Sequence, residues 1–261
     1  SASANSVLES LPGLVFLFIA GVLAGWIDAI GGGGGLVQVP ALLAGFPGVP
    51  VQALLGANKL SSMGGTVTAL WRYRASGFVR LRRWWPMASW GAAGGAFGAA
   101  AAMQIPATFL RPLILALVIV VLVWMLVSSE LVRSLPQRRE RVGGHGQWLL
   151  GGGVGLYDGF FGPGTGSLLV LALQRWLGLD PVAASAAAKV VNLATNAGAL
   201  VVFAASGSVL WLAALPLAVG NVCGGWLGAT MAVRLGGRLV RGVLVCVVLL
   251  LAVKAGLESF P

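Results

Sequence analysis

Long apolar runs, separated by short polar segments, are the main pattern along the chain. A bilayer core of about 30 Å needs about 20 apolar residues in a helix that crosses it. Runs that meet this length predict six membrane spans, at 51–71, 84–103, 111–132, 182–204, 210–231 and 240–257. The pattern therefore predicts an all-α integral membrane protein.

A shorter apolar unit precedes each set of three spans. It consists of an apolar helix at 11–30 or 147–161, a glycine-rich break, and a short apolar piece at 36–46 or 167–178. A helix of about 10 residues rises only about 15 Å. Each short piece is therefore a half-helix, a steeply tilted span or a re-entrant segment. The first helix is not expected to be a cleaved signal peptide, because no basic segment precedes it.

This unit and its spans occur twice, with a constant offset of 130 residues. Pairs related by the offset, without a gap, include Asp28 and Asp158, Lys59 and Lys189, Pro86 and Pro216, Gly94 and Gly224, and Arg111 and Arg241. The repeat predicts two transmembrane halves, 1–132 and 147–261, joined by a basic linker at 133–146. Duplicated hydrophobic chains are typical of secondary transporters, which bind substrate where the repeats meet near the bilayer midplane.

The positive charges predict the orientation of the spans. With 58% hydrophobic and 9% charged residues the chain is too apolar for a folded soluble domain. Its arginines cluster at 72–83, 133–141 and 234–241, between apolar runs, which indicates cytoplasmic loops rather than a nucleic-acid partner. The uncharged loop 205–209 then lies outside, opposite its repeat equivalent. This predicts an inverted-topology repeat of five elements per half, with both termini outside the cytoplasm.

The two glycine-rich breaks are candidate anion sites. Irregular backbone at membrane depth is tolerated only where protein buries it or where it lines a cavity. Backbone N–H groups followed by the N-terminus of a short helix favour an anion. The candidate binding residues are Gly33, Gly34 and Gly35 in the first half and Gly164, Thr165, Gly166 and Ser167 in the second. The alternative is that the glycines only let helices approach closely, and both uses can hold together.

Charged and polar residues inside the spans are the other candidates for substrate binding. A charge in a membrane helix indicates function by default, although Lys59 and Lys189 could also be lysines that extend to the membrane surface. Neutral hydrogen bonds would come from Asn58, Ser62, Thr66, Asn192 and Asn196.

Two aspartates, Asp28 and Asp158, balance the charge of the two lysines. They could pair with the lysines and only fix the packing. Alternatively, a bound dianion would leave the core negative, and protonation of the aspartates would restore the balance. The second alternative makes both aspartates candidates for proton coupling.

No metal site, cofactor or enzymatic centre is expected. The chain has a single histidine, His145, and no Cys-x-x-Cys motif, so a metal site is improbable. No Ser/His or paired-carboxylate arrangement indicates an intramembrane hydrolase.

Three segments carry a family resemblance: Gly-x-x-Asp-x-x-Gly-Gly-Gly-Gly-Gly-Leu-x-x-x-Pro at 25–40, Ala-Asn-Lys at 57–59, and Gly-Phe-Phe-Gly-Pro-Gly-Thr-Gly-Ser at 159–167. With Lys189 and Asn192, the chain resembles the TauE/SafE family of sulfite and organosulfonate exporters from about residue 14 to 257. The resemblance implies a multi-pass carrier in the bacterial inner membrane for an anion such as sulfite, thiosulfate or sulfoacetate. In that membrane the orientation predicted from the loop charges makes both termini periplasmic. One departure is Ala188, which stands opposite Asn58 in the repeat.

Two other functions fit the same residues. The glycine loops could form the filter of a passive channel for small anions, or the chain could be a non-transporting membrane subunit whose buried charges are structural. The glycine and alanine content of the spans also permits a homodimer, as readily as it permits close contacts within one subunit.

Overall fold

The computed structural model describes residues 11–117, 120, 145–236, 239 and 242, and within these residues it contains nine helices and no strand. The helices are α1 (Leu11–Gly31), α2 (Gly34–Gly45), α3 (Val51–Ala75), α4 (Leu81–Gln104), α5 (Ala107–Leu117), α6 (His145–Phe160), α7 (Thr165–Leu177), α8 (Pro181–Ala205) and α9 (Trp211–Leu235). The all-helical prediction is therefore confirmed for the described part of the chain.

Three of these helices, α1, α8 and α9, are long and apolar enough to cross a membrane. Helices α3 and α4 have 25 and 24 residues, so at about 1.5 Å per residue they are also long enough. Helices thus occupy four of the predicted spans. Most of the predicted spans at 240–257 and 111–132 and residues 133–144 of the predicted linker lie outside the described residues.

The two short pieces are helices of 12 and 13 residues, α2 and α7. The break before α2 is shorter than the run of five glycines, because Gly31 still belongs to α1 and Gly34 begins α2. Gly32, with φ +79°, turns the chain between them, and Gly162 does the same before α7 with φ +93°. These left-handed backbone conformations favour glycine. At its other end, α2 is capped by Arg111, which donates hydrogen bonds to the carbonyl groups of Leu43 and Phe46.

Helices from the two halves of the sequence pack against each other. Helix α9 lies on α1 and α3, and its repeat equivalent α4 lies on α6 and α8. Helices α3 and α8, which carry the lysines, also contact each other and join the two groups. Every one of these contacts has its counterpart when the halves are exchanged, so the packing follows the repeat in the sequence.

Glycines allow the closest helix contacts. A Cβ atom added to Gly224 of α9 would lie 2.0 Å from the carbonyl oxygen of Val22 in α1. One added to the equivalent Gly94 of α4 would lie 2.3 Å from the carbonyl oxygen of Gly152 in α6. Only a residue without a side chain fits at both places, which agrees with the use of small residues between membrane helices.

Candidate functional site

The two glycine-rich breaks meet in the interior of the protein. The backbone N–H of Ser167 donates to the carbonyl oxygen of Gly32 at 3.1 Å, and its hydroxyl donates to that of Gly31 at 2.8 Å. Ser185 of α8 donates to the carbonyl oxygen of Ile30 at 2.7 Å. A Cβ atom on Gly166 would lie only 2.5 Å from the Cα of Gly32. The carbonyl groups at the end of α1 are therefore satisfied by the second half of the chain.

Two buried ion pairs cross between the halves at this junction. Nζ of Lys59 lies 2.9 Å from Oδ1 of Asp158, and it also donates to the backbone carbonyl of Asp158. Nζ of Lys189 lies 2.7 Å from Oδ2 of Asp28. Each lysine is thus paired with the aspartate of the other half. Two positive and two negative charges leave the site neutral.

A small cavity of about 20 Å³ lies between the breaks, the aspartates and the middle of α3 and α8. Its lining is almost entirely polar or glycine: Asp28, Gly32, Gly35, Asn58, Ser62, Asp158, Gly162, Thr165, Gly166, Asn192 and Asn196. A cavity of this size holds about one water molecule. An anion with several heavy atoms does not fit without movement of the surrounding helices.

Seven of the fourteen residues predicted to bind substrate line this cavity, together with both aspartates predicted to couple protons. The seven are Gly35, Asn58, Ser62, Thr165, Gly166, Asn192 and Asn196. The structure thus brings the polar candidates of both halves together around one point, and their roles there stay predictions.

The other predicted binding residues lie around the cavity, outside its lining. Lys59 and Lys189 are 1% and 0% exposed and are held by their aspartates. Thr66 is buried with no hydrogen-bond partner for its hydroxyl among the described residues. Both donors of Ser167 bind the end of α1. The remaining three, Gly33, Gly34 and Gly164, begin the short helices.

The polar groups of the lining are only partly satisfied. Within the described part of the chain, the amide oxygens of Asn58 and Asn192 have no hydrogen-bond partner. A buried polar group without a partner costs about 1–3 kcal/mol, so both oxygens can accept a hydrogen bond from a bound group or water that donates one. The positive charge of the site is not available in the same way, because carboxylates and not ammonium groups line the cavity.

Several residues of the site carried no signal that singled them out in the sequence. Thr195 donates to Oδ2 of Asp158 at 2.5 Å, and Tyr73 donates to the carbonyl oxygen of Ala29 at 2.8 Å. The spacing of Thr195 from Asn192, three residues along α8, could have placed it on the same helix face. Nothing in the sequence indicates the partner of Tyr73.

The described residues contain no group of three or more His, Cys, Asp or Glu placed to hold a metal ion.

The family described as Sulfite exporter TauE/SafE matches residues 17–255. The chain belongs to the TauE/SafE family. Its relatives include the "Probable membrane transporter protein ORF9" of a Sinorhizobium species, 34% identical over 92% of this chain and 91% of the relative. A "Probable membrane transporter protein" of Haemophilus influenzae is 34% identical over 92% of this chain and 93% of the relative. YfcA of Escherichia coli K12, named in the same way, is 34% identical over 98% and 94%.

No solved structure matches the chain. Membership of the TauE/SafE family and the apolar helices identify a membrane protein, and the named relatives support a membrane transporter.

Proposed function

We propose that the protein is a secondary transporter that exports a small sulfur-containing anion, such as sulfite, thiosulfate or an organosulfonate like sulfoacetate, across the bacterial inner membrane. The observation that carries this proposal is the buried junction of the two breaks, where polar side chains from both halves surround one cavity. The family description supports sulfite as the first substrate to test.

The packing supports an inverted-topology repeat. The contacts of α1 with α9 and of α6 with α4 are equivalent, and so are the two crossed ion pairs. In inverted-repeat transporters the site at the repeat interface opens alternately to the two sides as one part of the molecule rocks against the other. The cavity of about 20 Å³ must widen in such a movement before the anion can bind.

The crossed ion pairs support coupling to protons. Protonation of Asp28 or Asp158 would remove the partner of Lys189 or Lys59 and leave a free ammonium group beside the cavity. That charge would then attract the anion, and the amide N–H groups of Asn58 and Asn192 in the cavity lining, not their oxygens, would donate to it. The lysines would therefore bind substrate only when an aspartate is neutral.

The membrane potential supports the proposed export direction. The interior of a bacterial cell is negative, and the exit of one negative charge is favoured by about 2.3 kcal/mol per 100 mV. A proton carried with the anion would cancel one charge. The arginine loop at 72–83 faces the cytoplasm in this arrangement, and both termini face the periplasm.

Thermal stabilisation of the purified protein by anions tests the substrate class. The panel consists of sulfite, thiosulfate, sulfoacetate, taurine, sulfate, chloride and acetate. A ligand at 100 times its dissociation constant stabilises by about 2.7 kcal/mol. We expect a selective shift with one sulfur anion. The shift should disappear in Lys189→Met and remain in Arg74→Met, which removes an exposed positive charge at the end of α3.

Transport in liposomes separates the proposal from its alternatives. A carrier shows saturable flux and is stimulated by anion on the opposite side. A passive channel shows neither property, and a non-transporting subunit shows no flux. An absence of any shift with sulfur anions, or flux without counter-flow stimulation, contradicts the proposed function.

A further inference from the structure

We propose that Asp28 alone carries the coupling proton, and that Thr195 is a positioning residue that keeps Asp158 ionised in its pair with Lys59. The two aspartates are equivalent in the sequence repeat, but their surroundings differ. The coupling of this proton to transport rests on the proposed function, whereas the protonation of Asp28 can be measured without any substrate.

Both carboxylate oxygens of Asp158 accept hydrogen bonds. Oδ1 accepts from Lys59 at 2.9 Å, and Oδ2 accepts from the hydroxyl of Thr195 at 2.5 Å. The side chain is 4% exposed. A proton on Oδ1 would break the bond from Lys59, and a proton on Oδ2 would turn the Thr195 hydroxyl to its other acceptor, the carbonyl oxygen of Asn192 at 3.0 Å. Hydrogen bonds donated to the charged form favour that form. Asp158 is therefore held as a carboxylate.

Asp28 has only one such contact. Oδ2 accepts from Lys189 at 2.7 Å, and within the described residues no donor reaches Oδ1. The side chain is 17% exposed and lines the cavity. A proton from water in the cavity can bind Oδ1 and form an O–H bond there. The charge of Asp28 is then lost, and Lys189 keeps its positive charge without a partner.

The difference is encoded at one position of the repeat. The equivalent of Thr195 is Gly65, which has no hydroxyl to offer Asp28. A side chain cannot replace it there, because a Cβ atom on Gly65 would lie 2.8 Å from Oδ1 and 2.9 Å from the carbonyl oxygen of Asn221. The space that Thr195 occupies in one half is thus filled from α9 in the other half.

The charged groups around Asp28 leave this assignment unchanged. Of the helices packed on α1, α8 contributes Lys189, and α3 contributes Lys59 and the neutral hydroxyl of Tyr73, which binds the carbonyl of Ala29. Asp158 of α6 shares the cavity. The arginines of α3, α7 and α9 lie in the last turns of these helices: Arg72, Arg74, Arg175 and Arg234. No residue of α2 is charged.

Infrared difference spectra of the reconstituted protein between neutral and acid pH test the proposal. The C=O band of a protonated carboxyl group is recorded for the wild type, Asp28→Asn and Asp158→Asn, without substrate. The other acidic residues are common to all three, so subtraction isolates one side chain. We expect one band that is lost in Asp28→Asn and kept in Asp158→Asn. If a single variant does not fold, the double variant that removes both charges of the same ion pair replaces it: Asp28→Asn/Lys189→Met or Asp158→Asn/Lys59→Met.

The role of Thr195 has its own variant. Thr195→Val removes the hydroxyl and keeps the shape, so Asp158 should become protonatable and a second carboxyl band should appear. Thr68→Val is the matched control, because the hydroxyl of Thr68 binds only backbone carbonyl groups, and it should leave the spectrum unchanged.

Three results overturn the proposal: no wild-type band that is lost in Asp28→Asn, a wild-type band that is lost in Asp158→Asn, or no additional band in Thr195→Val. A protein that transports no sulfur anion would still give the expected spectra. The failure of this inference and the failure of the proposed function are thus separate results.

Discussion

At the scale of single residues, the buried charges dominate the energetics of the site. Lys59 and Asp158 are 1% and 4% exposed, so each depends on the other for its charge to be tolerated. Removal of one partner of a buried pair costs about 3–5 kcal/mol, because the remaining charge has no compensation, whereas replacement of both partners by neutral groups is often close to neutral.

Lys59→Met should therefore lower the free energy of unfolding more than the double variant Lys59→Met/Asp158→Asn does. We expect a loss of about 3–5 kcal/mol for the single variant at neutral pH and recovery of most of it in the double variant. Thermal unfolding in detergent measures the stability of the single and the double variant. A double variant that is no more stable than the single one would show that the pair is not coupled.

Gly32 is the residue where the two breaks touch. Its φ of +79° disfavours any side chain, and a Cβ atom would lie 2.2 Å from the carbonyl carbon of Gly166. Gly32→Ala should separate the breaks and abolish transport. Gly77 has nearly the same φ, +78°, with no atom within 4 Å of its Cβ position. Gly77→Ala should thus cost only the strain of the left-handed backbone, about 1–2 kcal/mol, with transport retained. Equal losses of transport in the two variants would contradict a special role for the contact at Gly32.

At the scale of the helices, the contacts depend on backbone approaching backbone. Glycines of α4 and α9 lie against carbonyl groups of α6 and α1, at equivalent places in the two halves. Helices in lipid gain no hydrophobic energy from their association, so packing between small residues has to supply it. A single methyl group added at these contacts is therefore too large for the space between the helices.

Gly94→Ala and Gly224→Ala should each destabilise the protein by about 1–3 kcal/mol, the usual cost of overpacking. Gly152→Ala is the control, since no atom lies within 4 Å of its Cβ position in α6. Alanine is the better helix former by about 1 kcal/mol, so the control should be as stable as the wild type or more stable. Thermal unfolding measures the stability of the three variants. A loss of stability in Gly152→Ala similar to that in the other two would refute the packing argument.

At the scale of the whole molecule, the arginine clusters between the apolar runs predict two halves of opposite orientation. Ala75 and Ala205 are equivalent residues at the ends of α3 and α8, and both are exposed. If the repeat is inverted, they lie on opposite sides of the membrane.

Single cysteines at these two alanines test the topology. In a background without Cys223 and Cys246, a membrane-impermeant maleimide added to spheroplasts should label Ala205→Cys and leave Ala75→Cys unlabelled until the membrane is opened. Labelling of the two positions from the same side would exclude an inverted repeat.

Local patterns explain why much of this protein could be predicted from its sequence. The apolar runs require helices at 51–71 and 182–204 because no other local structure satisfies the backbone in lipid, and the structure has helices there. The repeat offset identified one set of charged residues inside the apolar runs: Asp28, Asp158, Lys59 and Lys189. Residues equivalent in the repeat occupy equivalent places in the packing, so the polar lining of the cavity could also be anticipated.

The sequence alone determined that the chain is a duplicated helical membrane protein with two lysines and two aspartates within its apolar runs, because hydrophobicity and repetition are properties of the chain itself. Only the tertiary structure decided that each lysine pairs with the aspartate of the other half. It also decided that Asp158 accepts a second hydrogen bond from Thr195, whereas Gly65, the equivalent of Thr195, has no hydroxyl to donate to Asp28. The physical reason is that these contacts join residues about 40 to 160 positions apart, and the distances between their atoms depend on how the helices pack.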